Sequence, residues 1–119
     1  MALRRDITRT THGPYTRLLF DWRTSGVSGG VTFVATAEIT GQLLSFHTLP
    51  GSDAPDDNYD ITIVDSDGLD VLMGSGADRD TANDEVVIDN LGCVVGSTLT
   101  TTVANAGVND EGSFVVLVA

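Results

Sequence analysis

The 119-residue chain contains no lysine, a single cysteine, three prolines and few aromatic residues. Because Cys93 is the only cysteine, no intramolecular disulfide can form. No apolar run approaches the roughly 18 to 20 residues that a membrane-spanning helix needs. An apolar content of 41% argues against disorder, and a chain of this length can bury a core without a disulfide or a structural metal. The sequence therefore predicts a single folded domain.

Charge is distributed unevenly along the chain. Seventeen acidic residues stand against six arginines, which gives a net charge of −11. Five of the arginines lie in residues 1–23, which carry a net charge of +3, whereas residues 24–119 carry −14. Such an acidic segment repels phosphate backbones and anionic lipid surfaces. We therefore expect neither a nucleic acid nor a membrane as a partner.

The pattern of apolar residues is that of strands. β-branched residues occupy 34 of the 119 positions, in short runs between Gly, Asp, Asn and Ser. Apolar and polar residues alternate in residues 15–23 and again in residues 31–39, and no segment has the spacing of an amphipathic helix. We expect an all-β protein, an antiparallel β-sandwich or jelly roll of seven or eight strands, with a small barrel as the alternative.

The remaining strands are expected between clusters of turn-forming residues. Residues 43–49 form a strand after a turn or bulge at Gly41-Gln42, and residues 50–58 form an exposed loop. Towards the C-terminus we expect a hairpin over residues 59–73 that turns at Gly68, a strand at 86–88, a turn at 92–97, and a closing pair of strands at 98–103 and 113–118.

Residues 1–13 differ from the rest of the chain in being polar, rich in arginine and without clean alternation. We expect them to form an extended basic N-terminal arm, and residues 14–119 to form a single β-sandwich domain. The basic opening is not followed by the apolar stretch of a secretion signal. An arm becomes ordered only when a partner surface offsets its loss of entropy, and an acidic surface suits it.

Two segments, residues 65–70 and residues 78–85, concentrate acidic side chains that could hold calcium. Neither fits the twelve-residue calcium loop, because Asp70 and Asn83 occupy the position that requires glycine. We expect solvated turns in which the aspartates accept hydrogen bonds from nearby backbone amides. The prediction is therefore that the protein has no metal and no cofactor, with weak structural calcium binding at residues 65–70 as the alternative.

Candidate catalytic groups are His12, His47 and Cys93, but their spacing does not bring a nucleophile and a base together. We expect His47 to pack at the rim of its strand and Cys93 to be a small buried residue. The glycine groups are expected to form turns, since the chain has no lysine for a phosphate-binding loop. The protein is therefore predicted not to be an enzyme and to have no catalytic residue.

Two aromatic residues on one strand, Phe20 and Trp22, could form a platform on which a sugar stacks. They share their face of the strand with Leu18. With only seven aromatic residues in the chain, a platform on the surface would thin the core. We therefore expect both side chains to pack in the core.

The central and C-terminal parts of the chain contain several short segments rich in Gly, Asp, Asn and Thr. They are Gly41-Gln42-Leu43-Leu44, Leu49-Pro50-Gly51, Asp57-Asn58-Tyr59-Asp60-Ile61-Thr62-Ile63, Asp65-Ser66-Asp67-Gly68-Leu69-Asp70-Val71-Leu72, Arg79-Asp80-Thr81-Ala82-Asn83 and Thr100-Thr101-Thr102-Val103-Ala104-Asn105-Ala106-Gly107. Through these segments, residues 31–119 resemble small structural proteins of tailed bacteriophages. The resemblance implies an all-β virion component of the head or tail region without enzymatic activity. It does not extend to residues 1–13.

The leading interpretation is a capsid decoration (cement) protein that stabilises the phage head by bridging neighbouring major capsid subunits. It would be made in the host cytoplasm without a signal peptide and would lie on the outer surface of the capsid. Arg4, Arg5 and Arg9 are the candidate partner-binding residues, because guanidinium groups make bidentate contacts with carboxylates. We expect a homo-oligomer, with a trimer as the working assumption. The alternatives are a head–tail connector or tail-tube component and a carbohydrate-binding adhesion module of the virion.

Overall fold

The computed structural model describes residues 3–33 and 38–119. This part of the chain contains nine strands and no helix, and therefore no helix long and apolar enough to cross a membrane. The strands are β1 (Arg4–His12), β2 (Tyr15–Arg23), β3 (Val31–Phe33), β4 (Ile39–Pro50), β5 (Asp60–Val64), β6 (Glu85–Val87), β7 (Cys93–Ser97), β8 (Thr100–Ala104) and β9 (Glu111–Val118).

The strands form two sheets in which every pairing is antiparallel. The larger sheet has the order β1-β2-β9-β4-β6, and β7 pairs with β4 beyond the end of β6. The smaller sheet has the order β3-β8-β5. The predicted all-β antiparallel class is confirmed, with nine strands in the described residues where the sequence predicted seven or eight.

The two sheets contribute to one hydrophobic core. Phe20 of β2 stacks on Phe114 of β9 with ring centroids 4.7 Å apart, and Phe33 of β3 meets Phe20 edge-on at 5.4 Å. Trp22 lies 5.8 Å from Tyr59, and both side chains are fully buried. The prediction that Phe20 and Trp22 belong to the core is therefore confirmed.

The C-terminal strand β9 lies in the middle of the larger sheet, between β2 and β4. This confirms the expectation that the final strand is held in a sheet. The predicted pairing of residues 98–103 with 113–118 is wrong, because β8 pairs with β3 and β5 in the smaller sheet. The connection between β8 and β9 therefore crosses from one sheet to the other, and Asn105 and Asn109 adopt positive φ within it.

Two further local predictions need correction. Only the first half of the hairpin predicted over residues 59–73 is a strand, whereas residues 71–76 form turns whose backbone hydrogen-bonds to β5. Gly68 does turn the chain with a positive φ of 88°, as expected. The turn predicted at residues 92–97 is instead strand β7, which pairs with β4 through a bulge beside Gly41.

The predicted N-terminal arm lies at the edge of the larger sheet. Residues 4–12 form strand β1, which pairs with β2 along its whole length. Gly13, with a φ of 59°, and Pro14 make the two-residue connection between the strands, and glycine at the first position is typical of a type II′ hairpin turn. Of the strand predicted over residues 31–39, positions 34–37 lie outside the described residues.

We predict that Phe20→Ala lowers the free energy of unfolding by about 3–5 kcal/mol, because it removes a fully buried ring and leaves a cavity. Urea denaturation followed by circular dichroism measures the change. Val27→Ala is the control, since Val27 is 92% exposed and is expected to change stability by less than about 0.5 kcal/mol. Equal losses in the two variants would contradict the assigned core.

Candidate functional site

The hairpin of β1 and β2, the basic hairpin, carries five of the six arginines: Arg4, Arg5, Arg9, Arg17 and Arg23. Side chains alternate between the two sides of a strand. Arg5 pairs with Trp22 and Arg9 pairs with Leu18, so both arginines share the side of the buried residues. Arg4 pairs with Arg23 on the other side. The structure therefore separates Arg4 from the other two predicted binding residues.

Arg5 and Arg9 lie where β1 approaches the smaller sheet. Arg5 Nη1 donates a hydrogen bond to the Thr32 carbonyl at 3.5 Å, and Arg9 Nη1 donates to the Glu38 carbonyl at 3.3 Å. Ile7, between them, packs against the core. Both guanidinium groups are exposed, and each has five N–H donors. Two cations are thus held at the surface on the same side of β1, four residues apart.

Arg4 belongs to a cluster of charges at one end of the larger sheet. Arg4 Nη2 contacts Asp21 Oδ1 at 3.0 Å and Glu111 Oε1 at 3.4 Å. Arg23 also binds Glu111 Oε1, and its Nη2 lies 2.6 Å from Asp53 Oδ2. Arg23 is only 6% exposed. Since a buried cation requires charged partners, this cluster serves the fold.

Electrostatic interactions shift the pKa values of these groups. The hydrogen bond to Asp53, opposed by burial and supported by the charge of Glu111, raises the pKa of Arg23. The Ser52 hydroxyl donates to Glu111 Oε2 at 3.0 Å, and this bond is the largest cause that lowers the Glu111 pKa. Both shifts favour the charged forms, so Arg23 and Glu111 remain ionised in the folded protein.

Asp110, beside this cluster, has the opposite shift. Burial is the largest cause that raises its pKa, and the neighbouring charges of Asp56 and Asp53 raise it further. The raised pKa means that the ionised carboxylate destabilises the folded state. Among the neighbouring charges that shift the Asp110 pKa, only the positive charge of Arg23 lowers it.

The sequence did not single out this cluster as a unit. Arg23 ends a strand of alternating residues, where it reads as an exposed charge, and its partners Asp53 and Glu111 lie 30 and 88 positions away. No local pattern links residues so far apart. The only available signal is that Arg23 directly follows a core tryptophan.

The two acidic segments form the turns that the sequence predicted. Asp65 Oδ1 accepts hydrogen bonds from the backbone amides of Asp67 and Leu69 at 2.9 and 3.0 Å. Asp80 Oδ1 accepts from the Ala82 amide at 2.9 Å, and this bond is the largest cause that lowers the Asp80 pKa. Within residues 3–33 and 38–119, no group of three or more His, Cys, Asp or Glu side chains could hold a metal ion.

The structure keeps the candidate catalytic residues apart. His12 ends β1 at the hairpin turn, whereas His47 lies on β4 with its Nε2 3.6 Å from Asp84 Oδ2. Cys93 is exposed at the start of β7, so the prediction that it is buried is wrong. It pairs with Gln42, at the outer edge of the sheet, where alternation points its side chain to solvent.

The aromatic side chains considered for sugar stacking lie in the interior. Phe20 and Trp22 have no exposed surface, and neither has Tyr59, which packs against Trp22 and whose pKa burial raises to about 12. A glycan cannot stack on rings that solvent does not reach. These residues therefore offer no sugar-binding platform in this conformation.

Comparison with known proteins identified no relative: no family model, no curated protein and no solved structure matches the chain.

We predict that Arg23→Ala lowers the melting temperature by several degrees, because it leaves the half-buried Glu111 carboxylate without its closest cation. Differential scanning calorimetry measures the change. Arg9→Ala removes the same charge from an exposed site and is expected to leave the melting temperature nearly unchanged. Equal melting temperatures for Arg23→Ala and Arg9→Ala would show that the cluster does not stabilise the fold.

We predict that Asp110→Asn raises the melting temperature at pH 7. A carboxyl whose pKa is raised by folding contributes most to stability below its unfolded pKa, and this contribution is lost as the pH rises through its folded pKa. Asparagine imitates the protonated form at every pH, so the gain should disappear below pH of about 4. Asp89→Asn, on an exposed residue, controls for the change in net charge. A gain in melting temperature that persists below pH of about 4 would contradict the raised pKa of Asp110.

Proposed function

We propose that the protein is a non-catalytic virion component, a decoration or cement protein that bridges neighbouring major capsid subunits of a tailed bacteriophage. The observation that carries the proposal is the separation of charge: the basic hairpin forms one edge of a molecule that is otherwise strongly acidic. Such an edge suits an acidic protein surface as its partner. The resemblance of residues 31–119 to phage structural proteins supports the same assignment.

In this proposal the two sheets pack as a β-sandwich. Strand β1 binds the partner surface, the role expected of an N-terminal arm. Arg5 and Arg9 each make one hydrogen bond to a backbone carbonyl among the described residues. Their remaining donors bind carboxylates of the capsid protein, for which a planar guanidinium is better suited than an ammonium group. Arg4 is less available, because Asp21 and Glu111 already bind it.

Cementing stabilises a shell by mass action. Each copy that binds across a joint between capsid subunits favours the assembled state over the separated one. The acidic body, with −14 on residues 24–119, is repelled by packaged nucleic acid, so we place the protein on the outer surface of the capsid. The homotrimer assumed from the sequence stays a prediction, to which the two-fold dimer proposed below is the alternative.

The proposal is tested with purified heads that lack this chain. We expect Arg5→Gln combined with Arg9→Gln to reduce occupancy on the heads by about tenfold or more, because two charge-assisted contacts are lost. Occupancy is measured by co-sedimentation. These substitutions are preferable to deletion of residues 1–13, which would remove β1 and uncover one edge of β2.

Arg79→Gln is the matched control, since Arg79 is the only arginine outside the basic hairpin. It removes one positive charge from elsewhere on the molecule and should leave occupancy unchanged. Undiminished binding of the double variant would overturn the role of β1. Absence of binding by the unmodified chain to any site on the head would overturn the proposed function.

A further inference from the structure

The larger sheet has a second surface, the outer face, which is the side turned away from the core. The pairing register arranges its side chains in three rows that cross the strands. Within each row, the residues are given in order from β1. The first row is Thr10, Arg17, Leu117 and Ser45. The middle row is Thr8, Leu19, Val115, His47 and Val86, and the third row is Asp6, Asp21, Ser113 and Leu49.

The middle row holds three apolar residues, Leu19, Val115 and Val86, together with Thr8 and His47, and none of the five is acidic in a chain that contains seventeen acidic residues. Val86 is 60% exposed, and Ile88, just beyond β6, is 72% exposed. Leu19 and Val115 are half-buried on the other side of His47, whose Nε2 lies 3.6 Å from Asp84 Oδ2. An exposed apolar strip with little charge is typical of the centre of a protein interface.

The charges on either side of the middle row are incompletely paired. Arg17, in the first row, makes no hydrogen bond or ion pair within residues 3–33 and 38–119. Asp6 and Asp21 stand directly opposite each other in the third row, an arrangement of like charges that is unfavourable. Arg4 binds Asp21, but Asp6 has no cationic partner in the described part of the chain. A cation therefore lies on one side of the apolar strip and excess acid on the other.

We propose that the outer face binds a second copy of the same chain across a two-fold axis that runs along the middle row. Rotation about this axis places the middle row on itself and the first row over the third row. Arg17 of each copy then lies over Asp21 of the other copy, next to Asp6, and Leu19 packs against its counterpart. The face is thus complementary to itself in both charge and apolarity.

The net charge of the chain favours this arrangement over other ways of pairing two copies. Two molecules of charge −11 repel each other, and a contact through most other surfaces would bring carboxylates together. The middle row keeps them apart, and the symmetric Arg17 contacts neutralise the acids at its border. Antiparallel sheets that pack face to face with nearly aligned strands are common in β-proteins.

The size of the face indicates the strength of the pairing. Four strands with about eight paired residues each and the three-residue β6, about 4.8 Å apart and with about 3.3 Å per residue, give a face of about 550 Å². Two such faces bury about 1,100 Å² together, which is at the lower end for specific interfaces. We therefore expect a dimer with a dissociation constant in the micromolar range. This inference does not rest on the proposed capsid function.

The test is a charge exchange followed by sedimentation velocity over about a hundredfold range of concentration around the expected dissociation constant. Arg17→Glu places acid over acid and should weaken the dimer by about tenfold or more. Asp21→Arg places cation over cation and should weaken it similarly. The double variant, Arg17→Glu with Asp21→Arg, restores the opposite charges and should dimerise to within about threefold of the unmodified chain.

A second pair of variants tests the apolar strip independently of charge exchange. Val86→Glu adds a carboxylate to the middle row and should weaken the dimer, whereas Val27→Glu adds one to an exposed loop away from the face and should not. Circular dichroism checks that each variant folds. A monomer at every concentration, a trimer, or a double variant as weak as the single ones would overturn the inference.

Discussion

The stacking of Phe20 on Phe114 is the contact on which the other features of the molecule depend. It joins neighbouring strands of the larger sheet, and the edge-on contact with Phe33 ties that sheet to the smaller one. Because successive side chains on a strand point to opposite sides, burying these rings decides the direction of every other residue on β1 and β2. Arg5 and Arg9 must then point towards the smaller sheet, whereas Arg4 and Arg17 point away from it. Burial of the phenylalanine rings thus determines both candidate binding surfaces, the side of β1 with Arg5 and Arg9 and the outer face of the larger sheet.

Local patterns in the sequence predicted much of the secondary structure but little of the pairing. Alternation located β2 and β3 and identified the buried side of β2, whereas the turn-forming residues on either side of residues 43–49 located most of β4. The partners of β8 and β9 were predicted incorrectly, because strands close in sequence usually pair and here they lie in different sheets. Strand β1 lacks clean alternation because it is an edge strand with charges on both sides. Gly13-Pro14 was the available signal for its hairpin, since a glycine at that position favours the turn that joins two strands.

The candidate site was predictable in composition but not in arrangement. Clustering of arginines near the N-terminus was visible in the sequence, whereas the division of Arg4 from Arg5 and Arg9 depends on the strand register. The partners Asp53 and Glu111 come from distant segments, and no local rule assigns them. The acidic turns were easier to predict, because an aspartate that accepts hydrogen bonds from amides two to four residues ahead needs only its own segment.

The place of β9 between β2 and β4 has a consequence for how the molecule forms during translation. Strands β2 and β4 leave the ribosome long before β9 is synthesised, and the edge of each that pairs with β9 stays open until then. The nascent chain therefore holds open strand edges beside apolar side chains, which are prone to aggregation or to binding by chaperones. Sheets assembled from such distant segments also form slowly. Addition of β9 thus joins the β1-β2 hairpin to β4 and completes the larger sheet.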